Sequence, residues 1–316
     1  MTIAYLILCH TDPQYIKRLA KKITENTNDV AFVHVDGKSN FAPFQKELGN
    51  LPHVKLLENR VPVHWGGYSS VEATIRLFKS ALSRERERFD RFVILQGLEY
   101  PIKTNHEIHE FFENKPKTEF ILAQNISKTS NPKEKHKYSL YWHLDSASYL
   151  SVKILHKMYS ALFLKTGIIP PFKPNYVKNA AGVKMDIHQG CAQFAVTRQL
   201  AEYIVKFHDE NDGFNRYFRT MYAPDESYFH TIVYNSPFVK FTQNGQATTK
   251  PRLEDFENVT YFEYTKTITI FKSKDDWPKL RDSGFLFFRK ASSESKALLD
   301  YIDEQHALQE ANKQTN

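Results

Sequence analysis

Two places in this sequence carry residue types and spacings fit for chemistry, and a third lets a ligand come close. In Pro224-Asp225-Glu226, two adjacent acids follow a proline, and Glu226 has helical spacing to Phe229, His230 and Val233, the face that should look inward. An inward carboxylate can take a proton from a hydroxyl as a general base. Proline also suits a first helical position, and acids in a first turn answer the helix dipole, so the segment alone reads more simply as dipole chemistry. The second place comprises His10 and Asp36, which stand just past the apolar runs 3–9 and 30–35. Polar residues at the carboxyl ends of strands in an open α/β sheet lie where ligands bind, with loop capping or an Asx turn as the even alternative. At Trp65-Gly66-Gly67-Tyr68 a glycine pair lets backbone approach a ligand, although the sequence matches neither the phosphate-loop pattern nor the dinucleotide fingerprint.

Elements that could position these groups are legible from periodicity. Residues 3–9, 30–35, 54–57 and 91–95 are apolar runs of strand length. Asp12-Pro13 opens a helix with Ile16, Leu19, Ala20 and Ile23 on one face. Ser69 with Glu72, and Thr104 with Glu107, have capping-box spacing. Residues 120–122, 190–196, 259–264, 266–271 and 286–290 read as further strands, Thr197 caps a helix, and another helix runs through Trp277 and Leu280. Strands alternating with helices predict a mainly parallel α/β sheet. We expect one domain over residues 1–303, with 124–188 a variable, acceptor-side part and 304–316 a polar tail that frays.

Composition narrows the class. With 41% hydrophobic and 14% aromatic residues the chain can bury a large core, and a net charge of +7 favours acidic partners. The only cysteines are Cys9 and Cys191, which excludes a disulfide framework and a cysteine-rich zinc site and fits a reducing compartment. The apolar run at 3–8 meets His10 and Asp12 too soon for a signal peptide or anchor, so a cytoplasmic protein is expected. Leu155, Met158, Tyr159, Leu162 and Phe163 make a helical apolar stripe beside Lys153, Lys157 and Lys165; a packed helix with solvated lysines is the commoner explanation, and peripheral membrane contact through 150–173 is the alternative. The lysines at 128–137 accompany no nucleic-acid motif, and no nucleic-acid partner is expected.

Taken in order, Leu6-Ile7-Leu8-Cys9-His10, His34-Val35-Asp36, Trp65-Gly66-Gly67-Tyr68-Ser69, Gln96-Gly97-Leu98-Glu99-Tyr100-Pro101, Gly190-Cys191-Ala192-Gln193-Phe194, Ala223-Pro224-Asp225-Glu226 and Leu286-Phe287-Phe288-Arg289-Lys290 resemble the core-2/I-branching β-1,6-N-acetylglucosaminyltransferases, a family that also holds the peptide O-xylosyltransferases and many bacterial members. The resemblance spans residues 3–290, apart from 124–188. It implies a GT-A-type, Rossmann-like fold and inverting transfer from a UDP-sugar without a metal ion. By the same likeness Glu226 is the catalytic base, Leu8, His10, Asp36 and Trp65 bind the donor nucleotide, and Lys290 holds the diphosphate. Lys266 stands where the family has an arginine, keeping charge but losing the bidentate fork. Tyr264 lies where the family presents aromatics to the acceptor, and Glu99 is a further candidate for donor-sugar or acceptor contact.

The residues support the same chemistry. Metal-dependent sugar-nucleotide enzymes hold their cation with an Asp-x-Asp pair, and none occurs in this chain. Departure of UDP then needs fixed positive charge, which Lys266 and Lys290 can supply, and displacement at the anomeric carbon needs a base such as Glu226. The expectation is an inverting, metal-independent transferase with no cofactor, moving N-acetylglucosamine from a UDP-sugar to a glycan or glycolipid hydroxyl, for polysaccharide synthesis in a bacterium. The alternatives are a catalytically inactive sugar-nucleotide or glycan-binding protein, and a UDP-xylose or UDP-glucose transferase of the same family.

Overall fold

The computed structural model describes residues 1–84, 88–147, 149–166, 172–247, 258–265 and 267–314. Strands and helices alternate at first: β1 (Ile3–Cys9), α1 (Pro13–Thr24), β2 (Val30–Val35), α2 (Ala42–Leu48), β3 (Val54–Leu56), α3 (Ser69–Leu82) and β4 (Arg91–Leu95). Then follow β5 (Glu99–Pro101), α4 (Asn105–Glu113), β6 (Ala123–Asn125), α5 (Pro132–Ser139), α6 (Tyr149–Thr166), β7 (Tyr176–Lys178), β8 (Lys184–Asp186), β9 (His188–Gly190) and β10 (Ala195–Thr197). The chain closes with α7 (Arg198–Glu210), α8 (Asp212–Phe218), α9 (Tyr228–Tyr234), β11 (Thr260–Phe262), α10 (Trp277–Asp282), β12 (Phe287–Arg289) and α11 (Lys296–Gln314).

The central sheet runs β10-β4-β1-β2-β3, parallel except for β10, which pairs antiparallel with β4 at one edge. Successive side chains of a strand point to opposite faces, and both faces here are covered. Ala4, Leu6 and Phe32 pack with Val71, Ile75 and Phe78 of α3, while Ile3, Tyr5 and Ile7 pack with Ile16, Leu19 and Ile23 of α1 and with Leu298 and Ile302 of α11. Double burial is why these strands read as unbroken apolar runs. Because β1 has β2 on one side and β4 on the other, their carboxyl ends open a crevice at the switch in strand order. A smaller sheet, β11-β12-β5, sets Arg289 opposite Glu99.

Local capping follows the sequence where donors and acceptors are neighbours. Asp12 accepts from Tyr15 N at 3.1 Å, Thr104 and Glu107 form their capping box, and Thr197 accepts from Leu200 N at 3.3 Å. The box expected at Ser69 and Glu72 does not form. Asp145 reaches the start of α3 instead, its carboxylate accepting from Tyr68 N (2.8 Å), Ser69 N (3.1 Å) and Ser69 Oγ (2.6 Å). A carboxylate taking two backbone donors at the positive end of the dipole outcompetes a glutamate reaching back.

Other differences are informative. Pro224–Glu226 is a single 3₁₀ turn, and Ser227 at φ −136° separates it from the α-helix beginning at Tyr228. Phe120 only bridges to Ala195, and the strand starts at Ala123. Within 267–271 the backbone is drawn to other partners, Thr269 N to Glu263 O and Phe271 N to Lys290 O, so no strand forms there. The stretch expected to fray belongs to α11, where His306 is buried and its Nε2 lies 2.9 Å from Ile102 O. On α6, Leu155 and Met158 are exposed rather than packed, and Val152 is buried. Among the described residues no helix is long and apolar enough to cross a membrane.

Candidate active site

The carboxyl ends of β1 and β2 are tied together where Asp36 N donates to Cys9 O at 2.8 Å. Asp36 Oδ1 accepts from Lys38 N (2.9 Å) and Val63 N (3.0 Å), while Oδ2 lies 3.7 Å from Lys38 Nζ. The same carboxylate thus fixes residues 61–65 against β2. His34 assists from beneath: it is buried, its Nε2 accepts from Val61 N at 2.9 Å, and burial lowers its pKa to about 4, so the ring is a neutral acceptor. Leu8 is partly buried and His10 is exposed, its carbonyl accepting from Ser39 Oγ at 2.7 Å. Trp65 is 70% exposed and meets Tyr149 and Tyr222 edge-on, with ring centroids 5.4 and 6.0 Å away.

Residues 64–69 reach the Glu226 turn directly, for Ala223 N donates to Gly66 O at 3.0 Å. Both residues at this junction have positive φ, +43° at Ala223 and +74° at Gly66, and for alanine that is a strained conformation held by its surroundings. Glu226 Oε2 accepts from Gln189 Nε2 at 3.1 Å. Asp225 Oδ2 accepts a long bond, 3.4 Å, from Gln96 Nε2. Burial and then the neighbouring Asp225 charge raise the Glu226 pKa, against Gln189 and Lys137, which lower it. Burial likewise raises Asp225, against backbone N–H groups of its own turn, Gln96 and Arg289. Two interacting carboxyls that both resist ionisation titrate in steps that belong to the pair. Asp225 thus leans on the backbone of its own turn and on Gln96, and belongs to the titrating pair.

An amide relay links this pair to a buried ion pair. Gln193 Nε2 donates to Gln96 Oε1 (2.9 Å) and to Glu99 Oε1 (3.3 Å). Glu99 is fully buried; Oε2 accepts from Gln96 N (2.8 Å) and Leu98 N (3.1 Å), and Oε1 lies 2.5 Å from Arg289 Nη1. Glu99, named above as a candidate for sugar contact, is buried with both carboxylate oxygens engaged by these partners. Ala291 N donates to Leu98 O at 2.7 Å, which seats Lys290 beside the same loop, and Lys290 N donates to Thr269 O at 3.1 Å. Lys290 is half-buried and makes no ion pair among the described residues; burial and then Arg289 lower its pKa, while Glu99 raises it. Lys266, the other expected diphosphate ligand, lies outside the described residues. Tyr264 is 60% exposed and acts electrostatically on Tyr222.

Sequence reasoning passed over several neighbours of Glu226. Lys137 of α5 sits over the Tyr222 ring at 4.0 Å, and its pKa is lowered by burial and raised by Glu226. Tyr138 feels Glu226 as well. Gln96 and Gln193 stood inside recognised blocks, but Gln189, Lys137 and Tyr138 had no signal. Among the described residues no group of three or more His, Cys, Asp or Glu side chains converges to hold a metal ion. A recess of about 920 Å³ lies away from this chemistry by Arg18, Tyr100 and Asp303, and three of its lining cations, Lys17, Arg18 and Lys22, are paired with Glu47, Asp300, Asp303 and Glu25.

A mainly parallel sheet covered by helices on both faces, with a crevice at its carboxyl edge holding an acid pair, is an α/β fold of the open-sheet kind. The chain belongs to the Core-2/I-Branching enzyme family, whose model matches residues 3–250. That span holds Leu8, His10, Asp36, Trp65 and Glu226 and includes 124–188; the block at 286–290 and the residues Tyr264 and Lys266 lie beyond it. Rat xylosyltransferase 2 is 27% identical over 241 residues, 74% of this chain and 25% of its own length, and dog xylosyltransferase 1 is 22% identical over 242 residues, 74% and 22% respectively. The chain thus spans about a quarter of the length of these curated relatives. Among solved structures, apo mouse xyloside xylosyltransferase 1 aligns with a TM-score of 0.28 at 13% identity, over 73% of this chain and 81% of that one, a likeness too slight to carry an argument.

Proposed function

We propose that this chain is an inverting, metal-independent glycosyltransferase that moves a sugar from a UDP-sugar to a glycan or glycolipid hydroxyl, with Glu226 as general base. The observation that carries the reading is the Glu226 carboxyl itself: it is bonded to Gln189 at 3.1 Å, raised in pKa by burial and Asp225, and carried on a strained turn joined to the Trp65 loop. Such a group removes a proton near neutrality better than an ordinary carboxylate does. The acceptor oxygen bonds to the anomeric carbon as its proton passes to Glu226. The bond from that carbon to the diphosphate breaks on the opposite side, and its electron pair leaves with UDP. Lys290, with Lys266, neutralises the leaving charge; Leu8, Asp36 and Trp65 frame the nucleotide, with exposed His10 at the rim, and Tyr264 borders the acceptor.

N-acetylglucosamine is the donor sugar we favour from the sequence resemblance, and the xylosyltransferase names of the relatives favour xylose as a second reading. Exposed Leu150, Ile154, Leu155 and Met158, interspersed with Lys153 and Lys157 on α6, suit peripheral contact with an anionic membrane on the cytoplasmic side. Thermal melts with UDP-N-acetylglucosamine, UDP-xylose, UDP-glucose and UDP-galactose test the donor. A specific donor at about a hundred times its Kd adds about 2.7 kcal/mol of stability. A panel in which no UDP-sugar raises the melting temperature would refute the proposal.

A further inference from the structure

Beside the cleft, a cavity of about 400 Å³ is lined by Ser127, Tyr138, Ser139, Lys173, Asn175 and Tyr217 among others. Lys173 is 4% exposed. Its Nζ donates to Tyr217 O at 2.5 Å and lies 4.0 Å from the Tyr217 ring centroid and 5.7 Å from that of Tyr141. Among the described residues no carboxylate pairs with it. A buried ammonium without a counter-charge is costly, so it sheds its proton more readily unless an anion reaches it. Other lining groups are polar and bonded to one another: Ser127 Oγ accepts from Ile187 N at 2.7 Å and donates to Asn175 O, and Asn175 Nδ2 donates to Ser127 O at 3.2 Å. Tyr138 belongs both to this cavity and to the electrostatic surroundings of Glu226.

We infer that this cavity is an acceptor subsite for an anionic group, a carboxylate or phosphate carried by the acceptor glycan, with Lys173 as its cation and Tyr138 as the wall shared with Glu226. This rests on the reading of Glu226 as the base. Volume and lining suit one sugar residue held by a few polar groups on an apolar bed that includes Ile126 and Ile187. Burial lowers the Lys173 pKa to about 7, and an anion beside Nζ restores a full charge and is held by it. A neutral sugar offers this lysine hydrogen bonds but no counter-charge, and the subsite therefore favours acidic acceptors.

The test is calorimetric titration of the full chain with methyl β-glucuronide, glucose 6-phosphate and neutral methyl β-glucoside, alongside UDP. At least one anionic sugar is expected to bind tenfold or more tightly than the neutral one, and whichever anion leads names the source. Lys173→Met is expected to erase the preference while UDP affinity stays the same. Should that variant not fold, the Lys173 side-chain resonance in lysine-labelled wild-type protein must move with the anionic sugar and stay still with the neutral one. Equal binding of charged and neutral sugars, no binding of either, or a preference surviving in Lys173→Met would overturn the subsite. Loss of the subsite with UDP still bound leaves the transferase reading standing, whereas failure to bind UDP defeats that reading separately.

Discussion

Replacing Glu226 by glutamine is expected to abolish transfer and yet stabilise the protein at alkaline pH. The wild-type carboxyl titrates above its ordinary 4.5, first because of burial and then because of Asp225. A carboxyl with a raised folded-state pKa contributes stability that is fully present below the unfolded value and lost as pH rises through the folded one. A tenfold difference in proton affinity between the folded and unfolded chain corresponds to about 1.4 kcal/mol, and screening at the partly open rim reduces what is felt. The neutral isostere therefore relieves about 1–2 kcal/mol at pH 8 and close to nothing at pH 4. Gln189 keeps an acceptor, because the new amide oxygen can replace Oε2. For a chain of this size the gain amounts to a few degrees, about 2–4 °C per kcal/mol. Loss of a general base lowers kcat about 100- to 10,000-fold, or about 3–5 kcal/mol of barrier, and UDP affinity stays within about twofold. Melting curves at pH 4 and pH 8, run beside a transfer assay, read both effects. A variant that melts lower than wild type at pH 8, or that keeps more than a tenth of the activity, would refute the reasoning.

The acidic limb of kcat/KM is expected to have its midpoint above pH 4.5, and Asp225→Asn to move it downward, since the Asp225 charge helps hold Glu226 protonated; a limb that stays in place would mean the carboxyls do not titrate as a pair. Arg289→Met leaves buried Glu99 without its cation and is expected to cost about 3–5 kcal/mol in urea unfolding. Adding Glu99→Gln should recover part of that loss, and strictly additive costs would rule out the coupling. Asp145→Ala removes three hydrogen bonds from the start of α3 and is expected to cost about 1–2 kcal/mol, with an unchanged denaturation midpoint as the contrary result.

Much of the scaffold was legible because its causes are local. Strands β1, β2 and β4 are buried on both faces, so their composition alone marks them, and the caps at Asp12, Thr104 and Thr197 lie within three residues of the groups they serve. What escaped notice depends on distant partners. Asp145 caps a helix that begins 76 residues earlier, and no spacing rule joins it to Ser69. Glutamines 96, 189 and 193 carry no charge and follow no period, yet they connect Asp225 and Glu226 to the rest of the site. Glu99 stood among the candidates by its place in a recognised block, and register in the small sheet pairs it with Arg289. His306 shows the same limit in a polar stretch, where one packed ring holds a helix to the carbonyl of Ile102.

The central claim, metal-free displacement with inversion, is tested most directly by proton NMR of UDP-N-acetylglucosamine and UDP-xylose turnover in the presence of EDTA. The account predicts that transfer or slow hydrolysis continues undiminished, that the first-formed sugar product from the α-linked donor is the β anomer, and that Glu226→Gln yields neither. An α anomer appearing first, or activity lost in EDTA and restored by manganese, would contradict it.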